Sequence, residues 1–266
     1  VRRLIVRPGA IGDFVVSLPA LEFLRAEYTE IWTTAVNAPL VRFADRVESL
    51  YGTGIDTVGL AGRSVPERLR EFDSIVSWYG TNREDFREAV EGLPFVFHQA
   101  LPGRECGLHA VDFYLRQVGA EEGAIPRLPT AEAGVADPRF AVIHPFSGGR
   151  RKNWELARFR EVAARLEIPV RWLAGPEEKL EEGERFEDLG TLSDWLSGAA
   201  LYIGNDSGIS HLAAACGVPV VAIFGPTDAR VWAPRGRAVR VVEAPGGRLG
   251  DLPVETVLEA ARYFLR

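Results

Sequence analysis

Lysine is nearly missing from this chain. Of 31 basic residues in 266, only Lys152 and Lys179 are lysines. Where one survives, its compact ammonium is the feature to explain rather than its sign alone. Cysteine is scarce too. Cys106 and Cys216 lie far apart and form no C-x-x-C pair, which excludes a zinc ribbon and fits free thiols in a reducing compartment. Long hydrophobic runs are lacking. The closest to a membrane span, Val218–Phe224, has Gly217 and Pro219 at one edge and falls far short of the ~20 residues needed. The opening VRRLIVRPGAIGD reads as a strand and turn, not a signal peptide. A cytoplasmic protein is expected. Excess positive charge is also absent: the net charge of −6 argues against a nucleic-acid partner. Neither G-x-G-x-x-G nor G-x-x-x-x-G-K-[ST] occurs, so a dinucleotide fingerprint and a P-loop are both excluded.

What remains is an ordinary globular composition, 47% hydrophobic and 26% charged, and two series of alternating strands and helices. In the first, strand Arg3–Arg7 leads through Pro8-Gly9-Ala10-Ile11-Gly12 into a helix over Phe14–Glu27. Strands are expected at Ile31–Ala35, Thr57–Leu60, Ser74–Ser77 and Phe95–Phe97, and helices at Val65–Glu71, Asn82–Glu91 and Ala110–Val118. Gly119–Pro138, rich in Gly, Pro, Ala and Glu, reads as a linker. The second series has strands at Phe140–His144, Val170–Ala174, Leu201–Ile203 and Val218–Phe224. Its helices are expected at Trp154–Leu166, Leu192–Gly198, Ser207–Cys216 and Val254–Leu265. The pattern predicts an α/β protein of two doubly wound parallel-sheet domains, residues 1–133 and 134–252, facing a central cleft. The helix over 253–266 is expected to return to the N-terminal domain.

Three glycine-rich turns follow strands and carry the polar chemistry. IGNDSGISHL places Asp206 where an N-cap belongs, and the amides near Ser207, Gly208 and Ile209 open a helix that can hold a phosphate. Ser207 and His211, four apart, share one helix face. HPFSGGRRKNW sets Ser147 and Gly148 before three cations, of which Lys152 is the preferred phosphate ligand, with Asn153 as cap. Arg150 and Arg151 read equally well as a solvated loop. In PGAIGD, Asp13 reads first as a helix cap, although a carboxylate at that sheet edge could take a proton from a bound hydroxyl. Loops Gly175-Pro176-Glu177 and Gly225-Pro226-Thr227-Asp228 also end strands at the cleft.

RPGAIGD, HPFSGGRRKNW and IGNDSGISHLAAACGVPVVAIFGPTD together resemble glycosyltransferase family 9, the ADP-heptose:lipopolysaccharide heptosyltransferases. The resemblance runs from Leu4 to about Trp232, and between Glu30 and Val135 it is one of general pattern only. It implies the GT-B fold, with the acceptor bound mainly by the N-terminal half and the nucleotide-sugar by the C-terminal half. It further implies inverting transfer of heptose from an ADP donor, without a metal or other cofactor. The absence of Asp-x-Asp agrees with that. By resemblance Asp13 is the general base and Lys152 carries leaving-group charge. Ser147, Gly148, Glu177, Asp206, Ser207, Gly208 and His211 form the donor site, with Glu177 on the ribose. Gly9 and Gly12 shape the acceptor-side loop. The implied partners are a nucleoside-diphosphate sugar and a carbohydrate or lipid-linked acceptor. The protein would act as a monomer in the cytoplasm, with peripheral contact at the inner membrane left open. Two other readings stay open: a GT-B nucleotide-sugar epimerase or hydrolase, and a non-catalytic nucleotide-sugar-binding module.

Overall fold

The computed structural model describes residues 1–60, 62–103, 106–129 and 140–266. The N-terminal half runs β1 (Arg2–Val6), α1 (Ile11–Phe23), β2 (Tyr28–Thr33), β3 (Arg46–Ser49), β4 (Ser74–Ser77), α2 (Glu84–Ala89), β5 (Phe95–Phe97) and α3 (Ala110–Gln117). The C-terminal half begins with β6 (Ala141–His144), α4 (Leu156–Arg165), β7 (Val170–Trp172), α5 (Leu189–Leu196) and β8 (Leu201–Asn205). It continues with α6 (Gly208–Ala215), β9 (Val220–Phe224), α7 (Ala229–Trp232), β10 (Val239–Glu243) and α8 (Val254–Leu265). Two parallel sheets result, ordered β3-β2-β1-β4-β5 and β10-β9-β8-β6-β7.

Strands covered on both faces read as unbroken apolar runs. β8 (LYIGN) and β9 (VVAIF) do so and are buried throughout. The edge strands β3 (RVES) and β10 (VRVVE) carry charge and face solvent in part, which hid them from the periodicity. The strand expected over Thr57–Leu60 does not form. Ile55–Thr57 is instead a 3-10 turn between Gly54 and Gly59, at φ 75° and 86°, and the buried Ile55 and Val58 have the spacing of a turn of helix.

Strand order reverses once in each sheet, between β1 and β4 and between β6 and β8. At such a switch point, loops leave the sheet in opposite directions and open a crevice. The turns after β1, β6 and β8 are the three glycine-rich stretches. Topology therefore gathers them.

One hydrophobic core joins the halves. It runs from Phe14, Leu18 and Leu21 on α1 to Leu212 on α6 and Leu192 on α5, and α1 packs along both α3 and α6. Polar ties reinforce it. Asp112 of α3 holds Arg235 in a bidentate pair, both contacts at 2.6 Å. His109 accepts the Val111 amide through Nδ1, so Nε2 is the donor to the Ala233 carbonyl at 2.9 Å.

The expected return of the last helix to the N-terminal domain is wrong. α8 buries Val257, Leu258 and Ala261 with Trp154 and Phe159 and with Val221 and Ile223 of the second sheet. With α6 committed to α1, the opposite face of that sheet needs α4 and α8 as cover. The boundary expected at 133/134, with residues 130–138 of the linker, lies outside the described residues. Among the described residues no helix is long and apolar enough to cross a membrane.

Candidate active site

The switch-point loops line one cleft of about 800 Å³, within the range of small-molecule sites. Its floor is where two helices begin. Ile11, Gly12 and Asp13 of α1 and Ser207, Gly208 and Ile209 of α6 all line it, so two sets of free amides and two positive dipole ends converge there. An anion is what such a place favours.

The caps differ from those expected. Ser207, not Asp206, caps α6, its Oγ accepting from the Ser210 amide at 3.4 Å. Asp206 instead extends β8, its amide donating to the Ile223 carbonyl at 2.8 Å. That leaves its carboxylate, 6% exposed, free to bind the Lys152 ammonium at 2.7 Å. Asn153 is not a cap either, because α4 starts later, behind Glu155. The Asn153 Oδ1 accepts from Ser147 Oγ at 2.6 Å and closes the loop on itself. A residue not singled out by the sequence, Asn205, ties this loop to β8. It accepts the Trp154 amide at 3.0 Å and donates to the Pro145 carbonyl at 2.9 Å. Ser147, Gly148 and Lys152 consequently face the cleft, while Arg150 and Arg151 are exposed and do not line it.

Asp13 is the third residue of α1, whose cap is Ala10, so it is not the N-cap. Its carboxylate takes a hydrogen bond from the Ala10 backbone, the reach-back half of a capping box. Burial pushes its pKa above the ordinary carboxylate value, against the opposing pull of Arg7 and then of Ala10 and Lys152. A carboxylate so raised is a better proton acceptor. Gly12 lines the cleft; Gly9 does not. It shapes the turn at φ 145°, its carbonyl accepting from Asn37 Nδ2 at 2.9 Å.

The acid offered by the loop after β7 is Glu178, not Glu177. Glu177 is exposed and away from the cleft. Glu178 Oε2 accepts the Gly175 amide at 2.6 Å and meets His144 Nε2 at 2.9 Å. Burial raises Glu178, but the contact with His144, the Gly175 amide and the nearby Arg185 together outweigh it and hold the carboxyl below its usual range. His144, at the end of β6, opens the HPFSGGRRKNW stretch but was given no role of its own there. His211 is buried, not a surface residue, and burial lowers its pKa to about 4, so the imidazole facing the cleft is neutral. The remaining walls are mostly apolar: Val36 and Leu101 from the N-terminal half, and Phe186, Leu189 and Trp232 from the other.

Comparison with known proteins gives this geometry a setting. The profile of glycosyltransferase family 9 (heptosyltransferase) matches residues 117–256. Lipopolysaccharide heptosyltransferase 3 of Escherichia coli K12 is 33% identical over 112 residues, 42% of this chain and 29% of that protein. Lipopolysaccharide heptosyltransferase 1 of Pseudomonas aeruginosa is 25% identical over 232 residues, 78% of this chain and 64% of that protein. The chain thus spans less than two thirds of the length of the curated relatives it matches. Among solved structures, E. coli heptosyltransferase WaaC with ADP superposes at a TM-score of 0.69, with 21% identity over 97% of this chain and 98% of that one. E. coli ADP-heptose lps heptosyltransferase II superposes at 0.77, with 17% identity over 100% and 98%. The architecture they share is the GT-B arrangement of two parallel-sheet domains about a cleft.

Proposed function

The chain belongs to glycosyltransferase family 9, and we propose that it is an inverting, metal-independent transferase moving heptose from ADP-heptose to a saccharide of the cell envelope. One observation carries the reading. Asp13 at the start of α1, and Lys152 with the first amides of α6, line the same cleft. A base for the acceptor and a cradle for the leaving group therefore sit within one site.

The chemistry follows from these groups. The Asp13 carboxylate takes the proton of an acceptor hydroxyl as its oxygen bonds to the anomeric carbon. The bond from that carbon to the diphosphate oxygen breaks, and ADP leaves with the electron pair. Attack opposite the leaving group inverts the centre, through an oxocarbenium-like transition state. Lys152 and the Ser207–Ile209 amides meet the charge that develops on the diphosphate. Adenine and heptose are taken from the relatives, one of which is described with ADP and another as an ADP-heptose enzyme. The acceptor class is taken from the lipopolysaccharide heptosyltransferases. The same reading makes the protein a cytoplasmic monomer that meets a lipid-linked acceptor at the inner membrane face.

Calorimetric titration of ADP, UDP and GDP without metal tests the donor side. ADP should bind in preference to the others, and Lys152→Ala should weaken it about tenfold through loss of a charge-assisted contact. Failure of all three to bind would remove the transferase reading.

A further inference from the structure

Arg7 ends the first strand inside the protein, 2% exposed. A buried cation costs several kcal/mol unless something answers its charge. Among the described residues no carboxylate pairs with Arg7. Its Nη2 donates to the Asp13 carbonyl at 2.7 Å, Nη1 to the Pro8 carbonyl at 3.0 Å and Nε to Ser17 Oγ at 3.1 Å. The guanidinium carbon lies 4.6 Å from the centre of the Tyr114 ring. Pro8, Asp13 and Ser17 all belong to the turn and helix that present the Asp13 side chain.

We infer that Arg7 is the positioning residue of the base: its guanidinium locks the Pro8–Ser17 segment and stands behind the Asp13 carboxylate as a fixed positive charge. The inference rests on Asp13 acting as the base.

Other groups around Asp13 cannot replace that charge. From α3, the Tyr114 hydroxyl is pushed up to about 12 by burial and stays neutral, while Asp112 is taken up by Arg235 and His109 by Ala233. From α6, His211 is neutral, with its pKa lowered to about 4 by burial. Lys152 and Asp206 neutralise each other at 2.7 Å. When a diphosphate draws Lys152 away, Arg7 is the cation that still holds Asp13 ionised.

Carbon NMR titration of protein labelled at the aspartate carboxyls, with the Asp13 signal identified by its loss in Asp13→Asn, reads this directly. Arg7→Gln should move the Asp13 midpoint upward by about one pH unit, whereas Arg7→Lys should leave it near the wild-type value. A structural role alone would lower the melting temperature of both variants and leave the midpoint in place, and that would overturn the inference. Should Arg7→Gln fail to fold, Arg7→Met, uncharged and of similar length, should move the midpoint upward in the same way; an unmoved midpoint there would also overturn it. Turnover of ADP-heptose by Asp13→Asn separates the two claims. Retained turnover removes the base, while lost turnover with an unmoved Arg7→Gln midpoint removes only the role of Arg7.

Discussion

Gly12 of α1 and Gly208 of α6 meet where the two domains join. A Cβ on Gly208 would stand 2.8 Å from the Ile11 Cβ and 2.9 Å from the Gly12 nitrogen, and one on Gly12 would stand 3.2 Å from the His211 ring. The approach brings two helix N-termini together, a repulsive arrangement that a bound diphosphate would relieve. The glycines are there for contact between helices as much as for the turns they open.

Gly208→Ala should therefore push α6 away from α1. The atoms in its way are backbone and a β-carbon, neither able to swing aside. A loss of about 1–3 kcal/mol is expected, together with weaker ADP binding, by thermal melting and calorimetry. Gly148→Ala meets no atom within 4 Å and should leave stability unchanged. Equal melting of the two variants would contradict the packing argument.

The two neighbouring acids after β7 separate cleanly in a binding experiment. Glu178→Gln should weaken ADP about tenfold and 2′-deoxy-ADP little, if its carboxylate meets the ribose as acids at strand ends do. Glu177→Gln, on an exposed residue outside the cleft, should bind both as the wild type does. The reverse pattern would restore Glu177 to the site.

That pair shows where a sequence stops being legible. The loop was readable as a cleft loop because a strand of apolar residues led into Gly175 and Pro176. Which of two adjacent glutamates turns inward was not, because it depends on His144, 34 residues away. The caps failed for the same reason. Asp206 satisfies every local rule for a cap, yet strand pairing to Ile223 holds it one residue short of the cap position, and Lys152 gives its carboxylate other work. By contrast the three glycine-rich turns were legible, since each follows an apolar run and each sits at a switch point that the βα alternation sets. The direction of α8 was not, because its apolar face fits either sheet and only the commitment of α6 to α1 decides between them.

Asp112→Ala should loosen the joint between the domains. The pair with Arg235 is bidentate and its side chains are only 13% and 21% exposed. A cost of about 2 kcal/mol is expected, between the limits for exposed and buried pairs. Arg235 chiefly, against the opposing effect of burial, holds Asp112 below its ordinary value of 3.8. Its contribution is thus complete above pH 3.8 and lost as pH falls through the lower folded value. Acid unfolding curves of wild type and Asp112→Asn should converge below that range. Curves that stay parallel would mean that the pair contributes nothing through its charge.

His211 gives a pH signature of its own. Its folded value of about 4, against an ordinary 6.5, means that between the two the unfolded chain holds a proton that the folded one refuses. Stability is therefore whole above pH 6.5 and declines as pH falls toward 4, by up to ~1.4 kcal/mol per pH unit. Asp13, raised in the fold by burial, acts with the opposite sign, so the difference between wild type and His211→Gln isolates the imidazole. Denaturant melts at several pH values should show a difference that is flat above 6.5 and slopes below it. The slope is expected to survive in Asp13→Asn, because burial beneath Gly12 and α1, rather than any one charge, keeps the ring neutral. A difference that stays flat to pH 4 would place water against the ring in the folded protein, and α6 could not then be sealed against α1.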